Sequence, residues 1–404
     1  MIRIKVKVVL YMLVSFLILS WFFNTMIIFP INYLTLTVFF YSLSLLLFIH
    51  KPFFISDIYK QIINIKLLFL LIFLVGITMI ITIFTGQSSS LFLPIKAILF
   101  VLTPILFFLN YSVLYKYNLS LIIKILFILS LLFQFIFSFI IGHYDKEHGK
   151  ILMKNSTIFN FSSNELSLYI IFITFTTGWI YYKYYKPNKL LLTFVYFLPL
   201  LHFSKSHLVA YLLSLLITLI LQRNRLAVLF TLIFVILLKY LNNHYVEYNL
   251  LISNEQIKKL LLANHLIFSS NFQDWLSFIA KVGDRTRAYI FQTYFSNLDK
   301  CILTGLGDQA NKILTGGRDY HNMFFFFTIQ YGLLGFFFYF MTLVLFLFYS
   351  LKKFEYLKFI SNFIIIYVIL RGLFITYDPY RFTILLLFFI ILEANLKYYH
   401  KCKN

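Results

Sequence analysis

The chain predicts an all-α, polytopic membrane fold of about twelve helices with one long structured outer loop, and three observations carry that prediction. The 404 residues are 61% hydrophobic and 12% charged, with a mean hydropathy of +0.87, whereas soluble domains carry about 25% charged residues. Apolar runs near the length of a membrane span recur from end to end. Basic residues fall in alternate connections between those runs, the pattern that orients a multi-span protein.

Taken in order, the runs lie near 8–29, 31–50, 67–85, 91–111, 119–142, 166–182, 190–203, 207–222, 226–242, 321–350, 359–376 and 380–398. The pair 190–203 and 207–222 is short, with Lys205 between its members. Arg3, Lys5 and Lys7 precede the first run, and no small-residue cleavage site follows, so an uncleaved first helix is expected. With that end inside, each predicted inner connection is basic, from Lys51, Lys60 and Lys66 through Lys183, Lys186 and Lys189 to Lys352, Lys353 and Lys358. The basic balance behind the formal charge of +21 therefore orients the chain in the membrane, with both termini expected on the inner, cytoplasmic side, and implies no nucleic acid. Cys301 and Cys402 fall on opposite sides, so no disulfide is expected.

This organisation divides the chain into helices one to nine at 1–242, a long outer loop at 243–320, and three helices with a cytoplasmic tail at 321–404. A shorter outer segment runs from His143 to Glu165. The long loop far exceeds an ordinary connection and so is expected to be functional. Within it, 254–270 has the pattern of an amphipathic helix lying on the membrane. Gly283-Asp284 then stops one element and caps the next, RTRAYIFQTYFSNLD, in which Phe291, Tyr294, Phe295 and Leu298 share a face with Arg287. Arg285 points roughly the opposite way. A tight turn, Thr304-Gly305-Leu306-Gly307, follows.

Here the chain resembles the bacterial O-antigen polymerases and O-antigen ligases. In that family an arginine precedes an aromatic residue by four and a Gly-x-Gly turn follows fourteen residues later, matched by Arg287, Phe291 and Gly305-Leu306-Gly307. A His-Asn pair then opens a span, with glycines at fixed intervals beyond, matched by His321-Asn322, Gly332 and Gly335. Upstream, Ser163-Asn164-Glu165 carries serine where proline is usual, and Ser204-Lys205-Ser206 carries lysine for arginine. Gln330 stands where an acid is common. The resemblance covers about 164–340 and implies a polymerase that acts at the periplasmic face on undecaprenyl-diphosphate-linked oligosaccharide. It implies no cofactor, membrane lipid as surroundings, and room for a chain-length regulator protein as partner.

On this resemblance His321, Arg287 and Lys205 are the expected catalytic residues, and Arg285, Arg318, Asn322 and Asn164 the expected substrate contacts. The chemistry is compatible. A histidine at a helix N-terminus is held neutral by the local positive potential, so it can take a proton from a sugar hydroxyl. A guanidinium matches a diphosphate with two parallel hydrogen bonds. Plainer roles compete: an interfacial anchor for His321, a surface ion pair with Asp284 or Asp299 for Arg287, and helix capping for Asn164 and Glu165. Lys205 could equally be kept wet by its turn. Gly332 and Gly335 suit close helix packing, and Arg371, Lys96, Lys124 and Glu393 suit snorkelling to an interface. No metal or nucleotide-binding motif is present. Alternatives are a ligase placing glycan on lipid A core and, at greater distance, a flippase of lipid-linked sugar.

Overall fold

The computed structural model describes residues 63–85, 97–98, 101, 118–135, 143–145, 150–152, 167–168, 170–201, 205–244, 247, 285–299, 303, 305–307, 310, 314, 322–373 and 379–403. Nearly all of them are helical. Chain order gives α1 (Ile63–Thr85), α2 (Ser120–Phe135), a short hairpin of β1 (His143–Asp145) and β2 (Lys150–Leu152), and α3 (Thr176–Ile180). Then come α4 (Lys189–Phe197), α5 (Lys205–Leu221), α6 (Arg225–Asn243), α7 (Arg285–Ser296), α8 (Met323–Lys353), α9 (Lys358–Gly372) and α10 (Pro379–Lys403).

The hairpin, pairing His143 with Leu152 and Asp145 with Lys150, is the one departure from an all-helical chain among the described residues. It occupies the shorter predicted outer segment. Elsewhere the helices follow the apolar runs closely, and even the short pair around Lys205 resolves into separate α4 and α5. Predicted runs near 8–29, 31–50 and 91–111, and the proposed surface helix at 254–270, lie wholly or almost wholly outside the described residues.

Local chemistry explains the helix ends. Pro187-Asn188 starts α4: Asn188 is extended and its Oδ1 accepts the Leu191 N–H at 3.1 Å, an N-cap of the usual kind. Between α5 and α6, Arg223 turns the chain with φ +59° while Asn224 Oδ1 accepts the Leu226 N–H at 3.0 Å. A left-handed non-glycine residue costs about 1 kcal/mol. Arg223→Gly is therefore expected to raise the melting temperature by roughly 1–3 °C, and an unchanged or lower value would contradict this account of the turn.

α3 lies within an irregular helix. π-helical turns flank it at Ile170–Phe175 and Tyr181–Tyr185. The Thr176 hydroxyl bonds the Ile171 carbonyl five residues back, at 2.9 Å, which stabilises the wider turn. The core packs this segment against α2, α4, α5, α9 and α10, with Trp179 stacked on Phe359 at 5.4 Å and its Nε1 donating to the Tyr196 hydroxyl at 2.9 Å. Burial, with the Glu393 carboxylate nearby, pushes the Tyr184 hydroxyl well above the ordinary phenol range; that hydroxyl donates to the Tyr356 carbonyl.

α8 departs most from regularity. By length and composition it is the one helix among the described residues long and apolar enough to cross a membrane, the other apolar helices being shorter. It breaks at Gly332, whose φ of +78° and ψ of 175° belong to a region essentially reserved for glycine. The break releases the Ile329 and Gln330 carbonyls from their usual helical donors. The Gly-Leu-Gly turn takes them up: Leu306 N–H donates to Ile329 O at 2.8 Å and Gly307 N–H to Gln330 O at 3.1 Å. Gly305 and Gly307, at φ +70° and +76°, let the turn fit. The turn is thus not confined to the mouth of the helix. It lies beside a break about 15 Å along it, at 1.5 Å per residue from Asn322.

Candidate active site

The site is best approached from the starts of the helices that carry the sequence motifs. Asn322, immediately after His321, is the extended N-cap of α8. Its Oδ1 accepts the Phe324 and Phe325 N–H groups at 2.9 and 3.2 Å, and its Nδ2 donates to the Leu373 carbonyl at 3.3 Å. Both ends of the amide are thereby engaged. The side chain expected to touch substrate instead fixes where α8 begins and ties it to the end of α9.

Two residues before Leu373 stands Arg371, in the last turn of α9 and 0% exposed. Snorkelling, the role expected from sequence, is excluded by that burial. Arg371 Nη1 donates to the Ser206 hydroxyl and Nη2 to the Ser167 hydroxyl, the latter at 3.1 Å. Ser206 follows Lys205, the first residue of α5. Ser167 lies three positions beyond Asn164. One turn back along α9, the Tyr367 hydroxyl meets Arg371 and Ser167 and lies 2.8 Å from His207 Nδ1. His207 Nε2 lies 2.9 Å from the Pro199 carbonyl. A carbonyl can only accept, so Nε2 carries the hydrogen and a neutral ring accepts the Tyr367 proton at Nδ1.

α7 completes the arrangement. Tyr294 stacks on Phe325 of α8 with ring centroids 3.9 Å apart, and Tyr294, Phe325, Ile329 and Ala310 form a small separate core. Arg287 and Arg285 occupy the first turn of α7. Seven residues, almost two full turns of α7, separate Arg287 from Tyr294 in the helix. Phe295, assigned to the same face as Tyr294, is 49% exposed and meets Phe325 only edge-on.

Of the expected site residues, Asn322, Lys205, Arg287 and Arg285 thus fall on elements that this structure describes, while His321, Arg318 and Asn164 lie outside the described residues. Ser167, Ser206 and Asn322, each within or two residues from a motif of the sequence, all bond the C-terminal end of α9. Sequence reasoning missed Arg371, Tyr367 and His207. A charge five residues before the end of an otherwise apolar predicted span was the available signal, and for Arg371 it was assigned to the lipid interface.

Glu393, also expected to snorkel, is 4% exposed at the opposite end of the bundle. Its carboxylate accepts the Glu355 and Tyr356 N–H groups on Oε1, at 2.7 and 3.3 Å, and the Leu357 N–H on Oε2 at 2.8 Å. Leu357, the N-cap of α9, has no side-chain cap of its own. Lys124, by contrast, is exposed on α2. Set against known proteins, the chain matches no family model, no curated protein and no solved structure.

Proposed function

We propose that this protein is a multi-span inner-membrane glycosyltransferase that polymerises undecaprenyl-diphosphate-linked oligosaccharide units into O-antigen or a capsule-type surface polysaccharide. The observation that carries this reading is that Ser167, Ser206 and Asn322, each within or two residues from a motif, bond the same end of α9. Two further features support it. The chain presents large apolar side chains outward, including Phe84 at 85% exposure and the row Leu226, Leu229, Leu232, Ile233 and Ile236 on α6, far more than an aqueous surface tolerates. The basic connections alternate with the apolar helices as twelve spans require, which puts the motif end, with the loop at 243–320, on the periplasmic side.

In this reaction His321 accepts the proton of a hydroxyl at the non-reducing end of an incoming lipid-linked unit. That oxygen attacks the anomeric carbon of the growing glycan. The carbon–oxygen bond to the lipid diphosphate breaks, and the bonding electrons leave with the diphosphate. Arg287 and Lys205, with Arg285 and Arg318 around them, stabilise the departing charge as fixed cations. The chemistry calls on no nucleotide or metal. A chain-length regulator protein is the partner such a reaction would need to set product length.

The test is surface-glycan length on a gel, in a deletion strain complemented with wild type, His321→Ala or Arg287→Ala at matched membrane levels. Wild type is expected to restore a ladder and each variant to leave core capped with single units. Full ladders from both variants would overturn the site assignment. Bare core in the deletion strain would instead favour the ligase or, if lipid-linked polymer is also missing outside, a flippase.

A further inference from the structure

We propose that Arg371 is the positioning residue of this site: by bonding Ser206 and Ser167 at once, it holds the first turn of α5, where Lys205 stands, in register with the segment before α3. The inference rests on the reading above for what is catalysed, but its geometry stands apart from it.

A fully buried guanidinium cannot itself meet a sugar or a diphosphate, so its effect must pass through its neighbours. Its planar fork suits that task, because two nitrogens at a fixed angle can bind two hydroxyls at once. Here they bind hydroxyls 165 and 204 residues away in sequence. Ser206 adjoins Lys205, so the Nη1 bond sets the first turn of α5 and with it the backbone from which that lysine springs. Leu373, at the end of the same helix, holds the Asn322 amide and so the start of α8 beside His321.

The remaining polar groups give the arrangement one direction. Pro199 O accepts from His207, His207 accepts from Tyr367, and the Tyr367 oxygen is left to accept from Arg371 and Ser167. Swapping a donor for an acceptor anywhere along this line breaks it. Burying a guanidinium merely to glue helices is inefficient, since apolar side chains of similar volume usually do so at lower cost. A purely structural role therefore explains the helix contact but not the choice of a charged, forked side chain whose bonds end beside the motif residues.

The experiment uses the full-length protein in lipid nanodiscs with lipid-linked oligosaccharide, comparing wild type, Arg371→Gln, Arg371→Lys and Ser206→Ala. Misplacing a catalytic group by about 1 Å costs roughly 100-fold, so Arg371→Gln is expected to lower kcat about 100-fold with KM changed less than about threefold, and Ser206→Ala about tenfold. Arg371→Lys, which keeps the charge but reaches one hydroxyl, should recover part of the loss. A second readout is independent of catalysis: a cysteine placed at 205, with Cys301 and Cys402 changed to serine, is labelled by a charged maleimide, with and without Arg371→Gln in the background. Removing the guanidinium should change the labelling rate at least about fivefold, by releasing the first turn of α5. Should Arg371→Gln fail to fold, Ser206→Ala and Arg371→Lys carry the same test.

Unchanged labelling together with unchanged kcat would overturn the proposal. So would kcat losses that merely parallel losses in melting temperature, with lysine no better than glutamine. If wild type extends no glycan while labelling still depends on Arg371, the polymerase reading fails and the positioning role stands.

Discussion

Replacing Gly332 with alanine is expected to lower the melting temperature of the detergent-solubilised protein by about 5–10 °C and, under the proposed polymerase function, to abolish the glycan ladder. Alanine at φ +78° and ψ 175° occupies a conformation costing about 1–3 kcal/mol by itself. The space is also filled with backbone: a Cβ there would lie 2.5 Å from the Leu303 carbonyl carbon and 2.9 Å from Gly305 N. Neither neighbour can rotate aside as a side chain could. The turn must withdraw, losing the Leu306–Ile329 and Gly307–Gln330 bonds at about 1 kcal/mol each. Strain and lost bonds together come to about 3–5 kcal/mol, a large fraction of a typical folding free energy.

Two comparisons separate this mechanism from general intolerance of substitution. Gly305→Ala presses on the same junction from the other side, its Cβ lying 2.6 Å from Gly332 N. The two changes together should therefore cost less than the sum of each alone, because either one already parts the turn from the break. Gly335→Ala carries no positive φ; its Cβ would press on the Tyr331 Cβ at 2.7 Å and meet Thr78 Oγ1 on α1 at 3.4 Å, side-chain atoms rather than backbone, so it should be milder. Equal losses at 332 and 335, measured by melting, would count against the interlock.

These glycines show what a sequence reveals and what it withholds. Their spacing from His321 is visible in one dimension, and it marks 332 and 335 as special. It does not distinguish a helix–helix contact, which Gly335 makes, from a break filled by a distant turn, which Gly332 makes. The difference lies in where two freed carbonyls find donors, and the donors in the turn sit 23 residues upstream. Helix positions were far more legible, because burial periodicity and charge at the ends are local properties. α4 through α6 and α8 through α10 begin and end close to where composition changes.

The charged residues inside the apolar runs were the least legible. Arg371, Glu393 and Lys124 look alike in sequence, each a charge within a predicted span near one of its ends. Lys124 is exposed, as snorkelling requires. The other two turn inward, and only the neighbours supplied by other helices reveal it: serines on α5 and the segment before α3 for Arg371, and a bare N-terminus on α9 for Glu393. No period along one helix can carry that information. The Asn322 amide teaches the same lesson in reverse, since a residue suited to binding a sugar is consumed in capping a helix.

Glu393→Ala is expected to be the second severe substitution, lowering stability by about 3–5 kcal/mol and weakening activity from the opposite end of the bundle. The carboxylate performs in trans what a capping side chain performs within one helix. It satisfies three successive N–H groups of the residues just before α9, the last being its N-cap Leu357, and places negative charge against the positive end of that helix. Removing it orphans all three donors together. It also frees Lys397, whose Nζ lies 3.4 Å from the same carboxylate and donates to the Lys353 carbonyl at 3.0 Å, so the end of α8 loosens as well. Glu393→Gln preserves the volume and one acceptor oxygen but sets an amide N–H against a backbone N–H, so an intermediate cost of about 1–3 kcal/mol is expected. α9 is 15 residues long, about 22 Å, and carries Tyr367 and Arg371 at its other end. A helix released at Leu357 can slide or rotate, and the bonds from Arg371 to Ser206 and Ser167 have no slack to follow it. Glycan length and melting temperature should therefore fall together in the alanine variant and partly recover in the glutamine variant. An alanine variant that melts normally would show that water, rather than Glu393, is sufficient to satisfy the turn.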